Sequence, residues 1–115
     1  MKQSYIQKDR KMIKVQVGLY LIKEDDSYTA FCPELNLSSY GASIDDAKKG
    51  FEDAIEIFIE ETTRRGTLEK ILLQQGWSLQ SKPKPVYLPP RFTDKSIINR
   101  AEKFFNDRIS IPALA

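Results

Sequence analysis

Histidine is absent from the chain, and cysteine occurs once, as Cys32. Without histidine, these residues cannot build a Ser-His-Asp or Cys-His nucleophile or a histidine general base. Zinc sites made of several Cys and His ligands are excluded for the same reason. A lone cysteine cannot form an internal disulfide, which suits a reducing compartment. Because no histidine can activate its thiol, we expect Cys32 to be a small buried hydrophobic residue.

Long apolar runs are also missing. No stretch approaches the roughly 20 residues that cross a bilayer, and residues 1–11 contain no apolar core of a signal peptide. Glycine (5) and proline (6) are too few for a fibrous or low-complexity chain of 115 residues. A hydrophobic fraction of 41% and a charged fraction of 30% are typical of a globular domain. We therefore expect one cytoplasmic domain that contacts no membrane.

The small net charge of +2 conceals a strong segregation of charge. Residues 1–23 carry a net charge of +5, residues 24–61 carry −9, and residues 62–115 carry +6. An acidic middle segment is suited to a basic protein partner, and a basic tail to nucleic acid. The alternative is that the acids only solvate helix faces, and composition leaves both readings open.

Three strands are predicted in the first part of the chain. Apolar and polar residues alternate over 14–23, which is typical of a half-buried strand. A polar turn follows, and 27–32 is the return strand of a hairpin, which Pro33 ends because proline lacks the N–H of a strand ladder. Residues 37–42 are predicted as a third strand, and 77–79 as a possible short fourth one.

Helices are predicted after the third strand. Ser43 is the expected N-cap of a long helix over 44–63, and Gly66 is the residue that follows its end. An apolar stripe recurs there at helical spacing and comprises Ala47, Phe51, Ala54, Ile55, Phe58 and Ile59. Thr67 is predicted to cap a short helix over 68–75. After a proline-rich extended linker, Thr93 is predicted to cap a final helix over 94–107.

These elements predict an α+β fold with a three- to four-stranded, mainly antiparallel sheet on which one long helix packs. A C-terminal helix follows the linker. The expected organisation has four parts, namely a basic arm (1–13), a domain (14–80), a proline-rich linker (81–91), and a C-terminal helix with an apolar tail (92–115).

An ordered set of motifs runs through residues 14–80, more than half of the chain. Its members are an acidic hairpin turn, Tyr28, Pro33-Glu34-Leu35, Gly41, Ser43, Ala47 and the paired acids Glu60-Glu61. In this order they resemble the signature of the HicB antitoxin family, which has an acidic turn, a Y-x-A-x-x-P-E/D-L segment, a glycine, and a helix that starts with T/S-x-E/D-E-A.

The resemblance implies a truncated ribonuclease-H-like domain without the catalytic acids. It also implies a role in a toxin–antitoxin system, in which the domain masks the active site of HicA, a small basic ribonuclease toxin. Many members add a helix-turn-helix or ribbon-helix-helix domain that binds operator DNA. The 25 residues after Pro90 carry one predicted helix, which is too few for a helix-turn-helix and argues against operator DNA as a partner.

Five residues are candidates for the surface that meets a basic partner, namely Asp25, Asp26, Tyr28, Glu34 and Tyr40. The hairpin turn holds more acids than a turn requires, and exposed tyrosines provide amphipathic contact area. Carboxylates also suit hard cations, but the local roles of these acids explain them. We expect no catalytic residue, no metal site and no cofactor.

The predicted C-terminal helix has an apolar stripe that a monomer with a proline spacer explains poorly. The stripe can dock on its own domain, pair with a second copy or bind a partner, and we expect a homo-oligomer, most simply a homodimer, that buries it. Its predicted interface residues are Ile97, Ile98, Ala101, Phe104 and Phe105.

The leading hypothesis is an antitoxin-like binding protein that neutralises a small basic HicA-type ribonuclease by covering its active site. The alternative is a stand-alone scaffold or regulatory domain of the same kind without a toxin, with weak nucleic-acid binding through its basic C-terminal part. A ribonuclease-H-type enzyme is a third hypothesis. It is disfavoured because the predicted strands place almost no acids on their inward faces.

Overall fold

The computed structural model describes residues 3–9, 11–91 and 95–112, and it consists of helices packed on a seven-stranded sheet. Every strand pairing in it is antiparallel. In chain order the elements are β1 (Tyr5–Lys8), β2 (Met12–Glu24), β3 (Ser27–Cys32), β4 (Leu37–Gly41), α1 (Ile44–Arg65), α2 (Leu68–Gln74), β5 (Ser78–Gln80), β6 (Val86–Leu88), α3 (Lys95–Arg100) and β7 (Ala101–Pro112).

The long strand β2 is the centre of the sheet. One of its edges pairs with β1 near its start and with β3 near its end, and β7 pairs along the other edge from Met12 to Ile22. Apart from β7, the strands follow the order β4-β3-β2-β1-β6-β5 across the sheet. Its residues from Val15 to Leu19 are all buried, and Ile13, Leu21 and Ile22 are buried as well.

The helices α1 and α2 cover one face of the sheet. Side chains alternate along a strand, so the odd-numbered residues of β2 point to the same face. Val17 and Leu19 are fully buried there, and Phe51, Ile55 and Ile59 of α1 are fully buried against the sheet as well. The predicted packing of the long helix on the sheet is confirmed, with Phe58 only partly buried at the margin of the core.

Both ends of α1 follow the sequence signals. The Ser43 hydroxyl oxygen accepts a hydrogen bond from the Asp46 N–H at 3.1 Å. Gly66 has a φ of 69°, the left-handed conformation that favours glycine, and its N–H bonds back to the last turn. Thr67 is at the N-cap position of α2, as expected, but its side chain makes no capping hydrogen bond. Trp77, just after α2, is buried in the core.

The sheet is larger than expected. It has seven strands instead of three or four, because the expected basic arm, the expected linker and the C-terminal segment each contribute one strand that was not predicted. Residues 5–8 of the expected basic arm form β1, and residues 86–88 of the expected linker form β6.

The expected C-terminal helix over 94–107 is wrong. Only Lys95–Arg100 is helical, and the chain then continues as the strand β7. The helix-favouring spacing of its apolar residues is overridden because the free edge of β2 offers a partner along the whole of β7. Thr93, the expected cap, and residues 113–115 of the expected tail lie outside the described residues. Among the residues that are described, no helix is long and apolar enough to cross a membrane.

Candidate binding surface

The acidic hairpin turn lies at the exposed end of the β2–β3 pair. Asp25 and Asp26 are both exposed, and Asp25 adopts a left-handed φ of 50°, which aspartate tolerates better than most residues. Glu24 forms an ion pair with Arg100 at 3.3 Å, which ties the turn to α3. Two of the five predicted contact residues are therefore free to meet a partner.

Glu34 has an internal role instead. β1 pairs with residues 13–16 of β2 and β3 with residues 20–24, so a gap remains on this edge of β2. Glu34 Oε1 fills it, accepting hydrogen bonds from the Gly18 N–H at 3.1 Å and the Ser4 hydroxyl at 2.8 Å. The Glu34 carbonyl also accepts from the Trp77 indole N–H at 2.8 Å. The half-buried Glu34 carboxylate thus replaces part of a missing strand.

The two predicted tyrosines lie on opposite faces of the sheet. Tyr28 packs against the core on the face that α1 covers. Tyr40 pairs in register with Thr29, the neighbour of Tyr28, so it points to the face that α1 leaves open. Tyr40 is 71% exposed there, the highest exposure of any large hydrophobic residue described.

The five predicted contact residues do not form one site. The hairpin turn and Glu34 lie at opposite ends of β3, a six-residue strand, which separates them by about 20 Å at the usual rise per residue. Tyr28 and Tyr40 are separated by the sheet itself. Only Asp25 and Asp26 remain adjacent and exposed.

A second acidic surface follows the outer side of α1. We call it the α1 acidic face, and it comprises Asp45, Asp46, Asp53, Glu56 and Glu60. None of these carboxylates has an ion pair with any residue the structure describes. Beside them Ile57 is 61% exposed. The helical spacing of these acids was visible in the sequence, where it was explained only as the solvent side of an amphipathic helix.

The open face of the sheet carries aromatic side chains. The Phe104 ring lies 4.8 Å from the Tyr20 ring, tilted by 60°. Phe104 also covers Gly18 so closely that a Cβ at this position would lie 2.9 Å from the ring. Glycine is therefore required in the middle of β2 for this contact.

The predicted oligomer-interface residues are dispersed. Ile97 and Ile98 lie on α3, with Ile98 46% exposed, whereas Ala101 begins β7. Phe104 and Phe105 point to opposite faces of the sheet, because they are consecutive residues of a strand. Phe105 packs at the core margin, with the Lys48 ammonium 4.1 Å from its ring centroid. No single helix stripe presents these five side chains.

Asp107 of β7 is a buried carboxyl that the sequence pattern did not single out. It points to the α1 side, and burial together with the neighbouring Glu52 raises the pKa of Asp107 to about 6, although Lys48 opposes the shift. Its Oδ2 atom has no hydrogen-bond partner among the described residues. The alternation of Phe105, Ile109 and Ile111 could have placed it on the inward face.

Nucleophilic or metal chemistry has little support from the arrangement of side chains. Burial raises the pKa of the Cys32 thiol to about 12, so the thiolate is scarce at neutral pH. Within the described ranges no three Asp, Glu or Cys side chains are grouped to hold a metal ion.

Comparison with known proteins gives no family for the chain. A scan against protein-family models and searches of the curated proteins and of the solved structures found no match.

Proposed function

We propose that the chain is an antitoxin-like binding protein that neutralises a small basic ribonuclease by covering its active site. The α1 acidic face carries this proposal. None of its carboxylates forms an ion pair with another described residue, although Lys49 lies among them, one helical turn from Asp45 and from Asp53. Ile57 adds an apolar contact beside them. An anionic surface of this kind attracts a protein whose own function is to bind RNA, because such a protein is basic.

The proposal includes the finer fold assignment. Strands β2, β3 and β4 followed by α1 have the order that the HicB-like motifs imply, and we propose that this part is a truncated ribonuclease-H-like domain. Asp25 and Asp26 form a second acidic contact area in the proposal. Glu34 is left out, because its carboxylate is bound to Gly18 and Ser4.

The test is co-expression with the product of the neighbouring small open reading frame, followed by co-purification and assay of its ribonuclease activity. Two sets of isosteric substitutions distinguish the surfaces, namely Asp53→Asn with Glu56→Gln and Glu60→Gln, and Asp25→Asn with Asp26→Asn. We expect the first set to slow association about tenfold at low salt, with a smaller effect at high salt.

The second set tests the hairpin turn as the second contact area, and we expect it to slow association less than the first set because it removes fewer charges. Co-purification without inhibition of the ribonuclease would contradict masking of an active site. An association rate unchanged by the first set would show that the α1 acidic face does not meet the partner.

A further inference from the structure

β7 has an unpaired edge. It is 12 residues long and pairs with β2 on one side, and no strand in the described part of the chain pairs with its other side. The exposed N–H and C=O groups of such an edge are a template for another strand. A bulge between Leu21 and Ile22 disturbs only the beginning of β7, and the pairing from Lys103 to Pro112 is regular.

The order of charges along β7 is complementary to itself. Residues 102–108 read Glu-Lys-Phe-Phe-Asn-Asp-Arg. If two copies of this segment run antiparallel about Phe105, Lys103 lies opposite Asp107, and Glu102, at the bulge before the regular part of β7, lies next to Arg108. Each of these pairs joins opposite charges, which stabilises directly opposed residues in a sheet.

We propose that the chain forms a homodimer in which the free edges of two β7 strands pair antiparallel about Phe105, with Lys103 of each copy opposite Asp107 of the other. The two sheets then form one continuous sheet with the helices of both copies on the same side. The pairing is isologous, as a two-fold symmetric dimer requires.

Asp107 supports this pairing by an independent observation. Asp107 is only 8% exposed, and its Oδ2 atom has no hydrogen-bond partner among the described residues, with Glu52 and Lys48 beside the carboxyl. Lys103 is exposed and lies on the same face of β7 as Asp107, four residues away. Directly opposed side chains in an antiparallel pair have Cβ atoms about 5 Å apart, so the Lys103 ammonium of the second copy reaches this carboxylate.

Three alternative arrangements are disfavoured by the same charges. A parallel, in-register pair sets Lys103 opposite Lys103. A shift of one residue in one direction sets Lys103 opposite Arg108, and a shift in the other direction sets Glu102 opposite Asp107. Each of these arrangements opposes like charges, which destabilises a strand pair. Charge on an edge strand often prevents association, but here its order favours one antiparallel pairing.

The decisive experiment uses charge reversal in the full chain, with mass measured by sedimentation over a range of concentrations. We expect the wild type to dimerise, and K103E and D107K each to weaken the dimer about tenfold or more, since each creates two like-charge pairs. An equimolar mixture of K103E and D107K should then form heterodimers about as tightly as the wild type, because both cross-copy pairs again join opposite charges.

A wild-type chain that is monomeric at about 200 µM would overturn the proposal. K103E and D107K variants that dimerise like the wild type would also overturn it. An equimolar mixture of the two folded variants that does not recover the wild-type affinity would do the same. If D107K does not fold by circular dichroism, the exposed pair E102R and R108E repeats the same mixing test.

K103E combined with D107K in one chain is the matched control, because it keeps both substitutions and restores complementarity within the homodimer. No ribonuclease is present in these measurements. Failure of the dimer therefore leaves the proposed antitoxin-like function unaffected.

Discussion

At the scale of single residues, Glu34 closes a gap that strand pairing leaves in β2. Its carboxylate accepts from the Gly18 N–H and from the Ser4 hydroxyl. We expect Glu34→Ala to lower the free energy of unfolding by about 2 kcal/mol, because two partly buried donors lose a charged acceptor. Glu34→Gln keeps one acceptor oxygen and should cost about half as much. Urea denaturation of both variants measures the difference, and an unchanged midpoint for Glu34→Ala would show that the gap needs no acceptor.

Asp107 gives a prediction about pH. Burial and Glu52 raise the pKa of Asp107 from 3.8 to about 6 in the folded chain. The protonated form therefore stabilises the fold, and this contribution is complete below about pH 4 and is lost as the pH rises through 6. Lys48 beside the carboxyl offsets part of this effect, so we expect a loss of about 1 kcal/mol between pH 5 and pH 7.5.

The measurement is thermal unfolding of dilute, monomeric protein between pH 5 and pH 7.5. Asp107→Asn should reduce the fall in Tm over this range by about 4 °C. Asp53→Asn, on the exposed α1 acidic face, is the control and should leave the fall unchanged. A pH dependence that Asp107→Asn does not alter would mean that other groups cause it.

At the scale of elements, α1 lies unusually close to β4. A Cβ on Gly50 would overlap the Ser39 hydroxyl oxygen but would lie 3.5 Å from the Ser39 Cβ, an ordinary contact. Alanine is intrinsically the better helix residue by about 0.5–1 kcal/mol. We therefore expect Gly50→Ala to destabilise the wild type or leave it unchanged, and to stabilise the Ser39→Ala variant by that amount.

Chemical denaturation of the two single variants and the double variant forms a cycle that isolates the contact. Equal effects of Gly50→Ala in both backgrounds would show that α1 does not need glycine against Ser39.

Some elements could be predicted from the sequence and others could not. Local signals were sufficient for β2, β3, β4 and α1, because alternation, Pro33, Ser43 and Gly66 all agree there. The segment 94–107 was predicted as one helix because its apolar residues have helical spacing, namely Ile97, Ile98, Ala101, Phe104 and Phe105. The strand pattern of β7 was hidden because the charged Asp107 interrupts the apolar residues on its buried face. Its conformation depends on the edge of β2, which is distant in the sequence.

The candidate surface was less predictable than the fold. Asp25 and Asp26 were placed at an exposed turn, as their residue types indicate. Which residues share a surface depends on which face of the sheet α1 covers, and this separates Tyr28 from Tyr40. The role of Glu34 depends on a gap between β1 and β3, which no local pattern reveals.

At the scale of the whole molecule, β7 is part of the folding unit. It pairs along most of β2 and contributes the buried Ile111 and the partly buried Phe105 and Ile109 to the core. We expect a chain ended at Pro90 to lack cooperative thermal unfolding, because it exposes one whole edge of β2 and removes these side chains. In the full chain, Ile111→Ala should cost about 2–4 kcal/mol.

Circular dichroism of the shortened chain and urea denaturation of Ile111→Ala provide the two measurements. A shortened chain that melts cooperatively at the wild-type temperature would show that β1 to β6 with α1 and α2 are a stable domain without β7.

The pairing of β2 with β7 also sets the order of events during synthesis. Ile22 pairs with Ala101 and Met12 with Pro112, roughly 80 to 100 residues apart, and contacts of such high contact order form late and slowly. Until β7 has left the ribosome, the hydrophobic β2 has one bare edge that a neighbouring nascent chain can occupy. The interval between emergence of β2 and emergence of β7 is therefore when a chaperone has most to protect.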